Sequence, residues 1–126
     1  MVEDDERVRN VATQALRNAG YRVLQASNGE TALAMGKHGE TIHLLVTDVV
    51  MPGMNGRQLA ERLVQTHPET RTLFTSGYTE NIIAHHGVLD RGIEFLSKPY
   101  TLEDLTLRVR EILDQARRRH GVGSAL

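Results

Sequence analysis

Short apolar runs alternate with stretches of helical periodicity along the whole chain, and this alternation restricts the fold more than any other feature. The runs lie at 1–2, 21–26, 44–47, 71–75 and 93–96. After each comes a pattern with the 3.6-residue period. The first holds Val8, Val11, Ala12, Ala15, Leu16 and Ala19, and the second Ala32, Leu33 and Met35. Leu59, Ala60, Leu63 and Val64 make the third, a weaker pattern covers 80–89, and Leu102, Leu105, Val109, Ile112 and Leu113 make the fifth. Such alternation predicts an α/β fold, (βα)5, with a doubly wound parallel sheet, right-handed crossovers and helices on both faces. Boundary residues agree. Asp5 is placed to cap the first helix and Gly20 to end it. His67-Pro68 breaks the third helix, and Thr101-x-x-Asp104 reads as a capping box for the fifth.

The third run carries the chemistry. Residues 44–47 read as a strand buried on both faces, and Asp48 arrives where it ends, because Pro52, Gly53, Asn55 and Gly56 punctuate the segment after it. A carboxylate there sits at the ligand-binding edge of an open α/β sheet. An Asp that caps a turn is an equally ordinary reading of that segment alone. Two other segments weigh against it. Glu3-Asp4-Asp5-Glu6 gathers four of the 16 carboxylates at another strand end, and Lys98-Pro99 closes the last apolar run. A nucleophilic carboxylate, metal-binding carboxylates and one lysine form a phosphoryl-transfer set. Metal and lysine neutralise phosphoryl oxygens while the Asp attacks phosphorus to give an acyl phosphate. Asp5 and Glu6 fit better as a helix N-terminus favoured by the dipole.

Taken together, Glu3-Asp4, Asp48 with Met51-Pro52-Gly53-Met54-Asn55-Gly56, Thr75-Ser76-Gly77 and Lys98-Pro99 resemble the receiver domain of two-component response regulators, over about the whole chain. The run Ser76-Gly77-Tyr78-Thr79-Glu80-Asn81 followed by His85-His86-Gly87 is similar to receivers of hybrid sensor histidine kinases. The resemblance implies a flavodoxin-like sheet of order 2-1-3-4-5, in which Met1-Val2 is a truncated, central first strand. It implies Asp48 as phosphoacceptor, Asp4 as a direct Mg²⁺ ligand, Glu3 acting through a coordinated water, and the Val50 carbonyl as a further ligand. It also implies Ser76 as the switch hydroxyl, Lys98 as the partner of a phosphoryl oxygen before a cis proline, and Phe95 as the rotating aromatic. The phosphodonor would be a histidine kinase or histidine phosphotransfer domain. The output would be a changed face on the fourth helix, fifth strand and fifth helix, which allows a homodimer. Val50 and Tyr78 would border the approach of hydrolytic water, and neither carries a carboxylate or amide to orient it.

Composition sets the remaining bounds. The 126 residues make one domain, expected at 1–120 with a tail at 121–126. There are no cysteines, so neither a disulfide framework nor a thiol catalyst is expected. No run reaches transmembrane length and no signal peptide is legible, which makes the cytoplasm the expected compartment, without membrane contact. A net charge of −1 gives no global steering toward nucleic acid. The Arg117-Arg118-Arg119 run suits a helix C-terminus. Adjacent His85 and His86 point in different directions on a helix and chelate poorly. The domain reads as a signalling module rather than an enzyme. An aspartate-nucleophile phosphatase of the haloacid-dehalogenase type wants an acid two residues after the nucleophile, where Val50 stands. A flavodoxin would bring a flavin phosphate against Glu3 to Glu6, which would repel it.

Overall fold

The computed structural model describes residues 1–39, 41–76 and 93–125, with 93 and 117–125 described by backbone alone. In chain order the elements are α1 (Glu6–Asn18), α2 (Gly29–Gly36), β1 (Leu44–Asp48), α3 (Gly56–Thr66), β2 (Arg71–Ser76), β3 (Ile93–Ser97) and α4 (Leu102–Ala125). The three strands form a parallel sheet in the order β1-β2-β3. Val2 extends it, with parallel bridges to Thr47 on one side and Ala26 on the other. The positions therefore run Ala26, Val2, β1, β2, β3, the 2-1-3-4-5 order of the flavodoxin-like fold.

The run at 21–26 is not the strand its composition predicts; only Ala26 pairs. A strand needs a neighbour along its length, and here Met1 to Glu3 are the residues beside it. The Met1 ammonium donates to the Leu24 carbonyl at 2.8 Å, Ala26 N–H to the Met1 carbonyl at 3.0 Å, and Glu3 N–H to the Ala26 carbonyl at 3.2 Å.

Successive strand residues point to opposite faces, so β1 feeds two cores. Val46 joins Ala12, Leu16, Leu73, Leu105, Val109 and Ile112 beneath α1 and α4. Leu45 joins Val2, Ala26, Met51, Leu59 and Leu63 beneath α2 and α3. The helix faces are narrower than their apolar patterns. Val11, Val64 and Leu102, predicted inward, are 52%, 43% and 42% exposed. Val11 and Leu102 lie instead along a groove between α1 and the start of α4.

The caps follow the residue chemistry. Asp5 accepts from the N–H groups of Arg7 and Val8, and Thr101 and Asp104 exchange both bonds of a capping box. Asn55 and Gln58 form a second box at the start of α3. Helix α4 continues to Ala125, past the expected domain boundary at 120. The helix expected over 80–89, with His85 and His86, lies outside the described residues, as do Gly77 and Tyr78 and the side chains of Arg117, Arg118 and Arg119.

Candidate functional site

The carboxyl ends of the strands gather the ionisable residues. Glu3 follows the bridged Val2 and is buried (1% exposed), and Asp48 ends β1, also buried (3%). Lys98 follows β3, and its backbone N–H donates to the Ser76 carbonyl at 2.7 Å, tying it to the end of β2. Its Nζ lies 2.7 Å from Asp48 Oδ1 and 2.8 Å from Glu3 Oε1. The other Glu3 oxygen, Oε2, accepts from Asp5 N–H at 3.2 Å, so the capping residue of α1 also fixes the acid beside it. Asp4 sits at the exposed mouth. Glu3, Asp4 and Asp48 each offer an oxygen within 4.8 Å of the others.

The electrostatics arise from this crowding. Burial, then the neighbouring Asp48, pushes the Glu3 pKa above the ordinary carboxylate range. Burial and the hydrogen-bonded Glu3 raise Asp4 as well. For Lys98, burial works against the ammonium, but its bonds to Asp48 and Glu3 outweigh this and hold its pKa well above the usual lysine value. Glu3 and Asp4, which resist ionising beside one another, join Asp48 in offering oxygen only, a set that fits a hard divalent cation such as Mg²⁺.

The loop after β1 is fixed by two glycines. Gly53 has φ +75°, a conformation that side chains disfavour. Gly56 N–H donates to the Val49 carbonyl at 2.8 Å, and a β-carbon at Gly56 would collide with the Asp48 backbone. Between Asp48 and this turn the side chain of Val50 is 53% exposed.

Two further expected residues lie on neighbouring strands. Ser76 ends β2, fully buried and in register with Ser97. Phe95 on β3 is half-buried, its ring centroid 5.5 Å from that of Phe74. Sequence alone marks Thr75 only as a member of the Thr75-Ser76-Gly77 run, with no role of its own. In the structure its Oγ1 donates to Asp48 Oδ1 at 2.5 Å and it is fully buried. The parallel register pairs Asp48 with Thr75. Strand pairing, rather than any motif, is the signal that finds it.

A doubly wound parallel domain with an aspartate at the end of a central strand, paired to a lysine inside an acidic pocket, has the architecture of a receiver module. Residues 1–110 match the response regulator receiver domain. The chain is 39% identical over 116 residues to the sensor kinase CckA of Brucella abortus (strain 2308), covering 91% of this chain and 12% of that protein. It is 34% identical over 113 residues to the response regulator receiver protein CpdR of the same organism, covering 90% and 93%. Among solved structures, the receiver domain of the hybrid histidine kinase CckA superposes with TM-score 0.75 at 34% identity, over 89% of this chain and 94% of that one. A response regulator receiver protein from Sinorhizobium medicae WSM419 does so with TM-score 0.79 at 28% identity, over 91% and 92%. The chain belongs to the response regulator receiver domain family of two-component systems.

Proposed function

We propose that this domain accepts a phosphoryl group on Asp48 and signals by the conformational change that phosphorylation sets off. The observation that carries the reading is the buried Asp48 carboxylate held by Lys98 beside Glu3 and Asp4. In the transfer, a bond forms between an Asp48 oxygen and phosphorus while the P–N bond of a donor phosphohistidine breaks and the imidazole leaves. Lys98 is placed to stay with the transferred oxygens as charge moves onto them. Glu3 and Asp4, with Asp48 and the Val50 carbonyl, would hold Mg²⁺, which when bound neutralises phosphoryl charge. Ser76 and Phe95 are the groups expected to move inward afterwards, carrying the change toward β3 and α4.

The donor is a histidine kinase or a histidine phosphotransfer protein, in the cytoplasm. The likeness to CckA, a hybrid histidine kinase, supports a parent hybrid kinase. The domain itself is a phosphoacceptor and not an enzyme. Val50, two residues after Asp48, gives the haloacid-dehalogenase reading no acid to work with. Incubation with acetyl phosphate and Mg²⁺ should raise the intact mass by one phosphoryl group, and Asp48→Asn should abolish the gain. A full gain persisting in that variant would overturn the reading.

A further inference from the structure

We propose that the Thr75 hydroxyl is a positioning group that sets the lifetime of the acyl phosphate on Asp48, an inference that rests on Asp48 being the phosphoacceptor. Asp48 and Thr75 are register partners on adjacent strands. Thr75 is fully buried, and its Oγ1 donates to Asp48 Oδ1 at 2.5 Å. A β-branched side chain on a strand has few χ1 choices, so the hydroxyl is held in place. Lys98 Nζ reaches the same Oδ1 at 2.7 Å. Two donors therefore converge on one carboxylate oxygen, which leaves Oδ2 as the atom to attack phosphorus.

The chemistry turns on the charge carried by Oδ1. A hydrogen bond to an ionised carboxylate is roughly twice as strong as one to a neutral acceptor. Phosphorylation at Oδ2 turns Oδ1 into the carbonyl oxygen of a mixed anhydride and weakens the Thr75 bond. In hydrolysis a water oxygen bonds to phosphorus, the Oδ2–P bond breaks, and its electron pair returns to the carboxylate. Inorganic phosphate leaves with the water's oxygen. The charge that reappears is shared with Oδ1, where Thr75 strengthens its bond as the step proceeds. The hydroxyl thus favours loss of the phosphoryl group, whereas a valine would fill the same space without this bias.

The test compares the parent, Thr75→Val and Thr75→Ser after labelling with acetyl phosphate at saturating Mg²⁺ and removal of the donor. The Val variant should lose phosphate about fivefold more slowly than the parent, the scale of what one hydrogen bond gains when its acceptor passes from neutral to charged. The Ser variant should return toward the parent rate. In metal-free protein, the ¹³C carboxyl resonance of Asp48 should shift in Thr75→Val and return in Thr75→Ser, a readout that packing alone would not restore. Equal decay in parent and Val variant, or a Ser variant that decays like Val, overturns the proposal while leaving Asp48 as acceptor. A parent that never gains the phosphoryl group overturns both. Should Thr75→Val fail to fold, Thr75→Ala takes its place with the same two outcomes.

Discussion

A β-carbon built on Gly56 would collide with the carbonyl oxygen of Asp48. The first turn of α3 packs directly on the backbone of the residue at the heart of the acidic pocket, and only glycine leaves room for it. Gly56→Ala must drive β1 and α3 apart. Overpacking of this kind should lower the unfolding free energy by about 3 kcal/mol, read from urea denaturation. A variant as stable as the parent would show that this contact yields without cost.

The crowding of Glu3 and Asp4 has a sign that can be measured. Their pKa values are raised in the folded protein. Each therefore contributes stability that is present below the ordinary carboxylate values and lost as pH rises through the raised ones. In protein freed of divalent cations, Glu3→Gln should gain on the parent in melting temperature as pH rises from the ordinary carboxylate range to neutrality. A variant that instead falls further behind as pH rises would mean that the Lys98 bond outweighs the crowding.

Asp4 and Asp5 are neighbours with separable jobs. Asp5 caps α1 through two backbone N–H groups, so Asp5→Ala should cost about 1 kcal/mol of stability and leave Mg²⁺ affinity nearly unchanged. Asp4 is exposed and is not the capping residue of α1, yet lies in the carboxylate cluster. Asp4→Ala should weaken Mg²⁺ binding by calorimetric titration with little loss of stability. Equal losses of affinity in the two variants would place the acidic register one residue out.

Much of this architecture is legible in the sequence because local signals and tertiary needs coincide. The run from Leu44 to Asp48 is a strand by composition and by burial, and the proline and glycines after it end the strand where the carboxylate must stand. The capping residues Asp5, Thr101 and Asp104 do what their spacing suggests. The segment at 21–26 departs from its composition because strand propensity counts only when a neighbour supplies a ladder, and only Ala26 is bridged. Val11, Val64 and Leu102 depart from the inward placement their spacing predicts, because a periodic pattern gives the direction of a helix face but not its width. Thr75 escapes a reading of sequence for a related reason. Its bond to Asp48 comes from lying beside it on the adjacent strand, a relation set by register and not by sequence spacing.

The proposed function requires that Asp48, and no other acid of the cluster, become the acyl phosphate. Borohydride reduces an acyl phosphate to the corresponding alcohol, which marks the modified residue irreversibly. Protein labelled with acetyl phosphate and Mg²⁺, reduced in this way and mapped by peptide mass spectrometry should carry homoserine at position 48, with Glu3 and Asp4 unchanged. Reduction at Glu3 or Asp4, or an unmodified Asp48 in protein that has gained the phosphoryl mass, would contradict the account.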